Sequence, residues 1–513
     1  MPEAARLVDE SASPAAPAPE AEPSRPRVDV AGLQRRARLG IMALVGRTAA
    51  MQLIVLGGDI YLRRRLEPAD FGLYAIVQFA LAIFMQFGDV GLASALIRQA
   101  EAPSRRELSS AWCLQMLVAS SITVVLWVGA PYLLDFWPDM SRDGIWVLRA
   151  LSVDLLLSSA RLTPTLLMER ELEYGRLSVL DITLSVTYYV AAVGLASAGY
   201  GVMSLAYAVL VRSTCGVIGA HLLRPFRPSL VLDWPLIRPI MHFGMRFQLK
   251  SMVGFLVTAV APVYGGRVLG QAQLGFINLG QSTAFFPLRL VEVMARVSFP
   301  LFSRLQNEPK AFAATLERGV MVSAMGTLFF VGLSVGLGPQ IIHIIYGVKW
   351  LPAVPLFYVY AVAFGIGFLH PVVAPALDAL GKPGLNLKLM VSWTIAILVL
   401  VPLLTPRWGA LGFAVGYCIP MVIGNGVVVL ILKKLVPEAH LWPRTRALLV
   451  GCAAVMLLGR YVLLGVCNGP LSLTACVVAS LATFLGVVGL LDRSALHEIR
   501  ALIKSQLPKS KAA

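Results

Sequence analysis

The chain has 513 residues, 57% of them hydrophobic and only 14% charged, with a mean hydropathy of +0.75. About a quarter of a soluble protein's residues are charged, so this composition excludes a water-soluble globule. The formal net charge of +16 would suggest a nucleic-acid partner in a soluble protein; here Lys and Arg gathered on cytoplasmic loops account for it, and nucleic acid is not expected.

Residues 1–38 are rich in Ala, Pro and Glu and end in Arg35, Arg36 and Arg38. They read as a disordered cytoplasmic tail, with no cleavable signal and a positive stop before the first helix. Apolar runs of about 20 residues then recur along the chain, and their continuity favours helices over a barrel. The predicted spans are 40–62, 71–93, 108–131, 145–167, 176–198, 202–223, 241–265, 274–297, 315–337, 353–377, 385–404, 409–432, 446–466 and 471–491. The expected fold is an all-α polytopic membrane protein with about fourteen transmembrane helices. Connection 224–240 carries Pro225, Pro228, Pro235 and Pro239 and marks a boundary. The expected organisation is a six-helix bundle at 39–223, a cytoplasmic linker at 224–240 and a second bundle at 241–435, then two further helices at 436–492 and a basic cytoplasmic tail at 493–513.

Loop charge sets the orientation. With the N-terminus inside, alternate loops hold Arg98, Arg105 and Arg106, then Arg170 and Arg176, then Arg224, Arg227 and Arg238, and so on to Lys433 and Lys434. The opposite loops hold only Arg142, Arg267, Lys349 and Arg407, so both termini are expected in the cytoplasm. Arg63, Arg64 and Arg65, at the outer end of the first helix, break the pattern; substrate binding and anchoring are both open for them.

A shift of 203 residues aligns Tyr61 with Tyr264, Arg64 with Arg267, Gly72 with Gly275 and Gln78 with Gln281. It also pairs Arg47 with Lys250 and Asp89 with Glu292, matching in sign. This predicts two duplicated halves related by an axis along the membrane normal, and transporters place their substrate site between such halves.

Ionisable groups inside a bilayer need partners or a wet cavity. Arg47, Arg161, Arg246, Lys250 and Arg289 are the candidates for a cationic lumen, which would suit a phosphate-bearing substrate. Asp59, Asp89, Asp154, Asp181 and Glu292 are candidates for coupling-ion binding or for neutralising those cations. Snorkelling to headgroups is the simpler reading of Arg98, Arg212 and Arg296 and is also open to Arg246. His370, beside Pro371, reads as a packed polar residue at a kink. The six cysteines have no paired spacing and read as core fillers. No P-loop or metal-ligand spacing occurs, and no cofactor or metal is expected.

The stretch Leu66-Glu67-Pro68-Ala69-Asp70-Phe71-Gly72-Leu73-Tyr74, followed by Gly88-Asp89-Val90-Gly91-Leu92-Ala93-Ser94-Ala95-Leu96-Ile97-Arg98, resembles the opening of Wzx-type polysaccharide flippases. These belong to the multidrug/oligosaccharidyl-lipid/polysaccharide exporter superfamily. Leu274-Gly275-Phe276, Phe299-Pro300-Leu301-Phe302-Ser303, Tyr346-Gly347 and Gly381-Lys382-Pro383 extend the likeness over roughly residues 40–435. Gly275-Phe276-Ile277 stands where Gly-x-Tyr is usual in the family. The resemblance implies a non-enzymatic flippase of the bacterial inner membrane, working by alternating access. It would carry undecaprenyl-pyrophosphate-linked oligosaccharides, driven by a proton or sodium gradient. Its partners would be this substrate, membrane lipids, and a polysaccharide polymerase and export complex. A drug antiporter of the same superfamily and a membrane polysaccharide polymerase are the alternatives. The first would favour an acidic cavity; the second would need a large extracytoplasmic loop.

Overall fold

The computed structural model describes residues 51–88, 96, 102–137, 140–236, 238, 255 and 258–492, with side chains given for all of these except 86–88, 134, 290, 292–300, 443 and 444. The expected tails 1–38 and 493–513 lie outside the described residues.

Helix α1 covers 51–65, followed by α2 (Pro68–Gly88), α3 (Arg105–Leu134), α4 (Asp143–Ala160), α5 (Leu162–Arg170), α6 (Tyr174–Ser197) and α7 (Met203–Leu223). After a π-helical turn at Val260–Gly265 come α8 (Gly266–Ala284), α9 (Phe286–Leu305) and α10 (Pro309–Tyr346). A 3-10 turn at Val348–Ala353 leads into α11 (Val354–Ile366), α12 (His370–Ala379), α13 (Pro383–Leu435), α14 (Leu441–Leu458) and α15 (Pro470–Leu491). No strand occurs among the described residues. Nine segments among them are long and apolar enough to cross a membrane, fewer than the fourteen expected over the whole chain. The chain is a multi-pass, all-helical membrane protein.

Local chemistry sets the boundaries. Ser104-Arg105-Arg106-Glu107 is a capping box: Ser104 Oγ accepts from the Glu107 N–H at 3.2 Å, and Glu107 Oε2 accepts from the Ser104 N–H at 2.6 Å. The span expected at 145–167 is broken at Arg161 into α4 and α5. Pro164 explains this, because its ring excludes the helical bond to the Ala160 carbonyl. That carbonyl accepts from Trp112 Nε1 at 3.4 Å instead. Pro371 breaks the span expected at 353–377 in the same way, and the chain tightens to a 3-10 turn at Gly367–Leu369. His370 sits at this break, exposed, its ring 6.3 Å edge-on from Trp393. Conversely, α10 runs well beyond the expected 315–337, through Pro339, to Gly347. There φ is +102°, a conformation that glycine adopts without strain. The two spans expected at 385–404 and 409–432 are two helices, together numbered α13, that meet at a non-helical kink at Gly409 with φ +57°.

Packing divides by contact. α3 packs on α4, α6 on α7, and α4 on both α2 and α7. Further along the chain α8 packs on α11, α9 on α12, and α10 and α13 on α11. The α2–α8 contact joins these groups, and α14 lies on α10 with α15 against it. The connection after α7 is latched to the start of α3: Arg106 Nε lies 2.9 Å from Asp233 Oδ2, and Ser109 Oγ and Ser110 Oγ accept from the N–H groups of Ser229 and Asp233. All six cysteines are free thiols, with Cys418, Cys467 and Cys476 buried.

Candidate substrate cavity

Asp59 and Arg63 lie four apart on α1, one turn, so they share a face. Arg63 Nε donates to Asp59 Oδ2 at 2.7 Å, and Nη2 donates to Asn278 Oδ1 of α8 at 3.1 Å. Arg63 is 4% exposed. Its guanidinium lies 4.6 Å from the Phe71 ring centroid and 5.4 Å from that of Trp350. Trp350 Nε1 in turn donates to the Arg63 carbonyl at 2.7 Å. Stacking and ion pairing together hold an arginine that burial alone would make costly.

Beside this pair is a cavity of about 270 Å³, lined by Asp59, Arg63, Tyr74, Gln78, Tyr188, Tyr189 and Asn278 among others. Gln78 Nε2 donates to the Tyr74 hydroxyl at 2.6 Å, and the hydroxyls of Tyr74 and Tyr188 are hydrogen-bonded. The Arg212 guanidinium stands 5.8 Å over the Tyr188 ring and 3.7 Å from Asp154 Oδ2. Asp154 is buried on α4 and also accepts from Ser213 Oγ and, at 3.5 Å, from Ser158 Oγ. Arg161, at the α4–α5 break, lies within electrostatic reach of Asp154, Asp181 and Arg212. Gly216 leaves room for it: a Cβ there would stand 3.1 Å from an Arg161 guanidinium nitrogen. A chain of polar groups thus runs from Arg63 to Arg161 through apolar helices.

Of the residues singled out from sequence, Asp154, Asp181 and Arg161 come together, and Asp59 joins them through the tyrosines. Arg289, exposed on α9, stands 6.0 Å from the Phe285 centroid, and its charge reaches Tyr189 of α6. Arg47, Asp89, Arg246 and Lys250, and the side chain of Glu292, lie outside the described residues and side chains. Arg212, for which headgroup contact was expected, is ion-paired with Asp154 at 3.7 Å. Sequence reading left Arg63 open between substrate binding and anchoring, and did not single out Tyr74, Gln78, Tyr188 and Tyr189, which line the cavity with it. The four-residue spacings of Asp59 to Arg63 and of Tyr74 to Gln78 were the available signal.

Beside the cavity, α2 and α8 pack closely. A Cβ on Gly72 would fall 1.9 Å from the Gln271 carbonyl oxygen, and one on Gly275 2.0 Å from that of Pro68. The backbones of α2 and α8 therefore touch directly. Arg64 donates to the carbonyls of Ile345, at 2.7 Å, and Ile344, capping the C-terminus of α10. Lys349 Nζ donates to the Leu66 carbonyl at 2.6 Å, and Trp137 Nε1 to that of Pro262 at 2.9 Å.

A family profile described as "Polysaccharide biosynthesis protein" matches residues 61–355, more than half of the chain and including these elements. The chain belongs to that family. Among similar polysaccharide biosynthesis proteins is the teichuronic acid biosynthesis protein TuaB of Bacillus subtilis, 27% identical over 355 residues, which are 62% of this chain and 71% of TuaB. The lipopolysaccharide biosynthesis protein WzxC of Escherichia coli is 22% identical over 375 residues, covering 71% of this chain and 74% of WzxC. The succinoglycan biosynthesis transport protein ExoT of Rhizobium meliloti is 22% identical over 463 residues, covering 88% and 92%. Among solved structures, the lipid II flippase MurJ in an inward closed conformation superposes with a TM-score of 0.69 at 12% identity, covering 89% of this chain and 100% of MurJ. An inward-facing multidrug resistance MATE transporter gives 0.61 at 14% identity, covering 75% and 94%. The polysaccharide biosynthesis family member therefore has the MurJ- and MATE-like fold.

Proposed function

We propose that this chain is a flippase of the bacterial inner membrane that moves undecaprenyl-pyrophosphate-linked oligosaccharide repeat units toward the periplasmic leaflet by alternating access. The observation that carries the reading is the polar chain and cavity set inside membrane-spanning helices, since a polar headgroup must be hydrated or hydrogen-bonded while it crosses hydrocarbon. Family membership and the likeness to a lipid II flippase support the substrate class.

The moving parts are the bundles 39–223 and 241–435, with both chain termini cytoplasmic. Pro68 and Gly72 stand 203 residues from Gln271 and Gly275, so the α2–α8 contact is reciprocal. Such a contact is expected where two duplicated halves meet on a two-fold axis. On this orientation the contact seals the periplasmic side.

Arg63, Arg161 and Arg212 are set against Asp59, Asp154 and Asp181 along the polar chain. The positive charge left for a pyrophosphate is that of Arg289, together with Arg47, Arg246 and Lys250. The Tyr and Gln groups supply hydrogen bonds for sugar hydroxyls.

The test is deletion of the gene with leaflet-specific labelling of lipid-linked repeat units. Accumulation of whole units on the cytoplasmic leaflet is expected. Normal surface polysaccharide without accumulation, or accumulation of unpolymerised units on the periplasmic leaflet, rejects the reading; the latter would indicate a polymerase.

A further inference from the structure

A second groove, of about 230 Å³, lies apart from the cavity on the surface of α10, α11 and α14, lined by Val335, Tyr358, Met456, Leu457, Arg460 and Tyr461. Its floor is fixed by close backbone packing. A Cβ on Gly332 would stand 2.6 Å from the Cys452 carbonyl oxygen, and one on Gly459 2.9 Å from Cα of Gly336. Directly after this crossing the chain makes a π-helical turn, Gly459–Leu463, which carries Arg460 and Tyr461 outward. π-Turns of this kind frequently mark functional positions. Gln340 Nε2 anchors the end of the turn by donating to the Leu464 carbonyl at 3.2 Å.

Arg460 is exposed, and its charge acts on the Tyr358 hydroxyl. Among the described residues Arg460 makes no ion pair. Between Arg318 and Leu491 the only acidic residues are Asp378 and Glu438. Asp378, at the end of α12, accepts from Asn386 at 3.4 Å. Glu438 precedes α14, about 30 Å away at 1.5 Å per helical residue. The other walls of the groove are apolar: Val335, Met456 and Leu457. A permanent cation, two phenols and an apolar slot at the end of a membrane-crossing helix match an amphiphilic anion.

The geometry points to a binding site for an anionic phospholipid, its phosphate held by Arg460 and the tyrosine hydroxyls and an acyl chain lying along Val335, Met456 and Leu457. This site is independent of the cargo. The full chain, purified in mild detergent and stripped of lipid, is mixed with phosphatidylglycerol or phosphatidylcholine, and retained lipid is counted by native mass spectrometry. The parent is expected to retain phosphatidylglycerol over phosphatidylcholine. Loss of a charge-assisted hydrogen bond in Arg460→Gln should lower retention roughly tenfold or more, and Arg460→Lys should keep most of it. Leu457→Trp, which fills the slot and leaves the cation, should also weaken retention and serves if the Gln variant does not fold. Equal retention by Arg460→Gln and parent overturns the site. So does equal retention of the two lipids, or displacement of phosphatidylglycerol by an equal concentration of inorganic phosphate, which would make it a free-anion site.

Discussion

Gly72→Ala tests whether the α2–α8 contact is a working seal. The added methyl carbon would stand 1.9 Å from the Gln271 carbonyl oxygen and 2.7 Å from its carbon. Both are backbone atoms of another helix, so no side-chain rotation relieves the clash. Restoring an ordinary contact of 3.4 Å requires the helices to part by about 1.5 Å. Overpacking of this kind costs about 1–3 kcal/mol. On the proposed alternating access the cost falls on the sealed state alone, because the two helices would part in the open state. The sealed-to-open ratio should therefore fall by about 5- to 150-fold. The assay uses a chain whose six native cysteines are replaced and in which Leu66, 3% exposed, is changed to Cys. A membrane-impermeant maleimide applied to intact cells should label Leu66→Cys faster in the Gly72→Ala background. Gly275→Ala should act alike, and the double variant should add less than the sum, since one separation relieves both clashes. Gly129→Ala, with nothing within 4 Å of its Cβ, is the control. Unchanged labelling at normal abundance would refute the seal.

Arg289→Ala should lower surface polysaccharide several-fold without lowering membrane abundance, measured by immunoblot beside a glycan stain; Arg47→Ala should behave likewise if both serve the cargo. Asp154→Ala leaves Arg212 inside without its partner and should cost about 3 kcal/mol, read as a lower melting temperature in detergent. Asp154→Ala combined with Arg212→Met should recover much of that loss. Gly347→Ala, at φ +102°, should cost about 1–2 kcal/mol in the same melt, while Gly465→Ala, in open space, should leave it unchanged.

The apolar runs made the helices legible because backbone groups in lipid have no other way to pair. The internal breaks were less so, although their causes are written in the chain. Pro164 and Pro371 disrupt their helices, while Pro339 lies inside α10 without ending it. What separates them is the neighbourhood: Trp112 takes up the carbonyl freed near Pro164, and it sits 48 residues away. The geometry around the cavity was not legible in the sequence. Arg63 was visible as one of three adjacent arginines, but its partner Asn278 is 215 residues distant and the Trp350 indole that donates to its carbonyl is 287 residues distant. For Arg212, headgroup contact was the simpler reading, whereas the structure puts it mid-way along α7, 3.7 Å from the buried Asp154 carboxylate.

The pairing of Arg63 with Asp59 and of Arg212 with Asp154 along the polar chain has an electrical consequence. Each unpaired elementary charge carried across the membrane field would add about 2.3 kcal/mol per 100 mV to the work of a stroke. Paired groups that travel together contribute dipoles but no net gating charge. On the proposed function, any voltage dependence of turnover should then report the cargo's phosphates, the cations that meet them and any coupled ion, leaving these two pairs electrically silent.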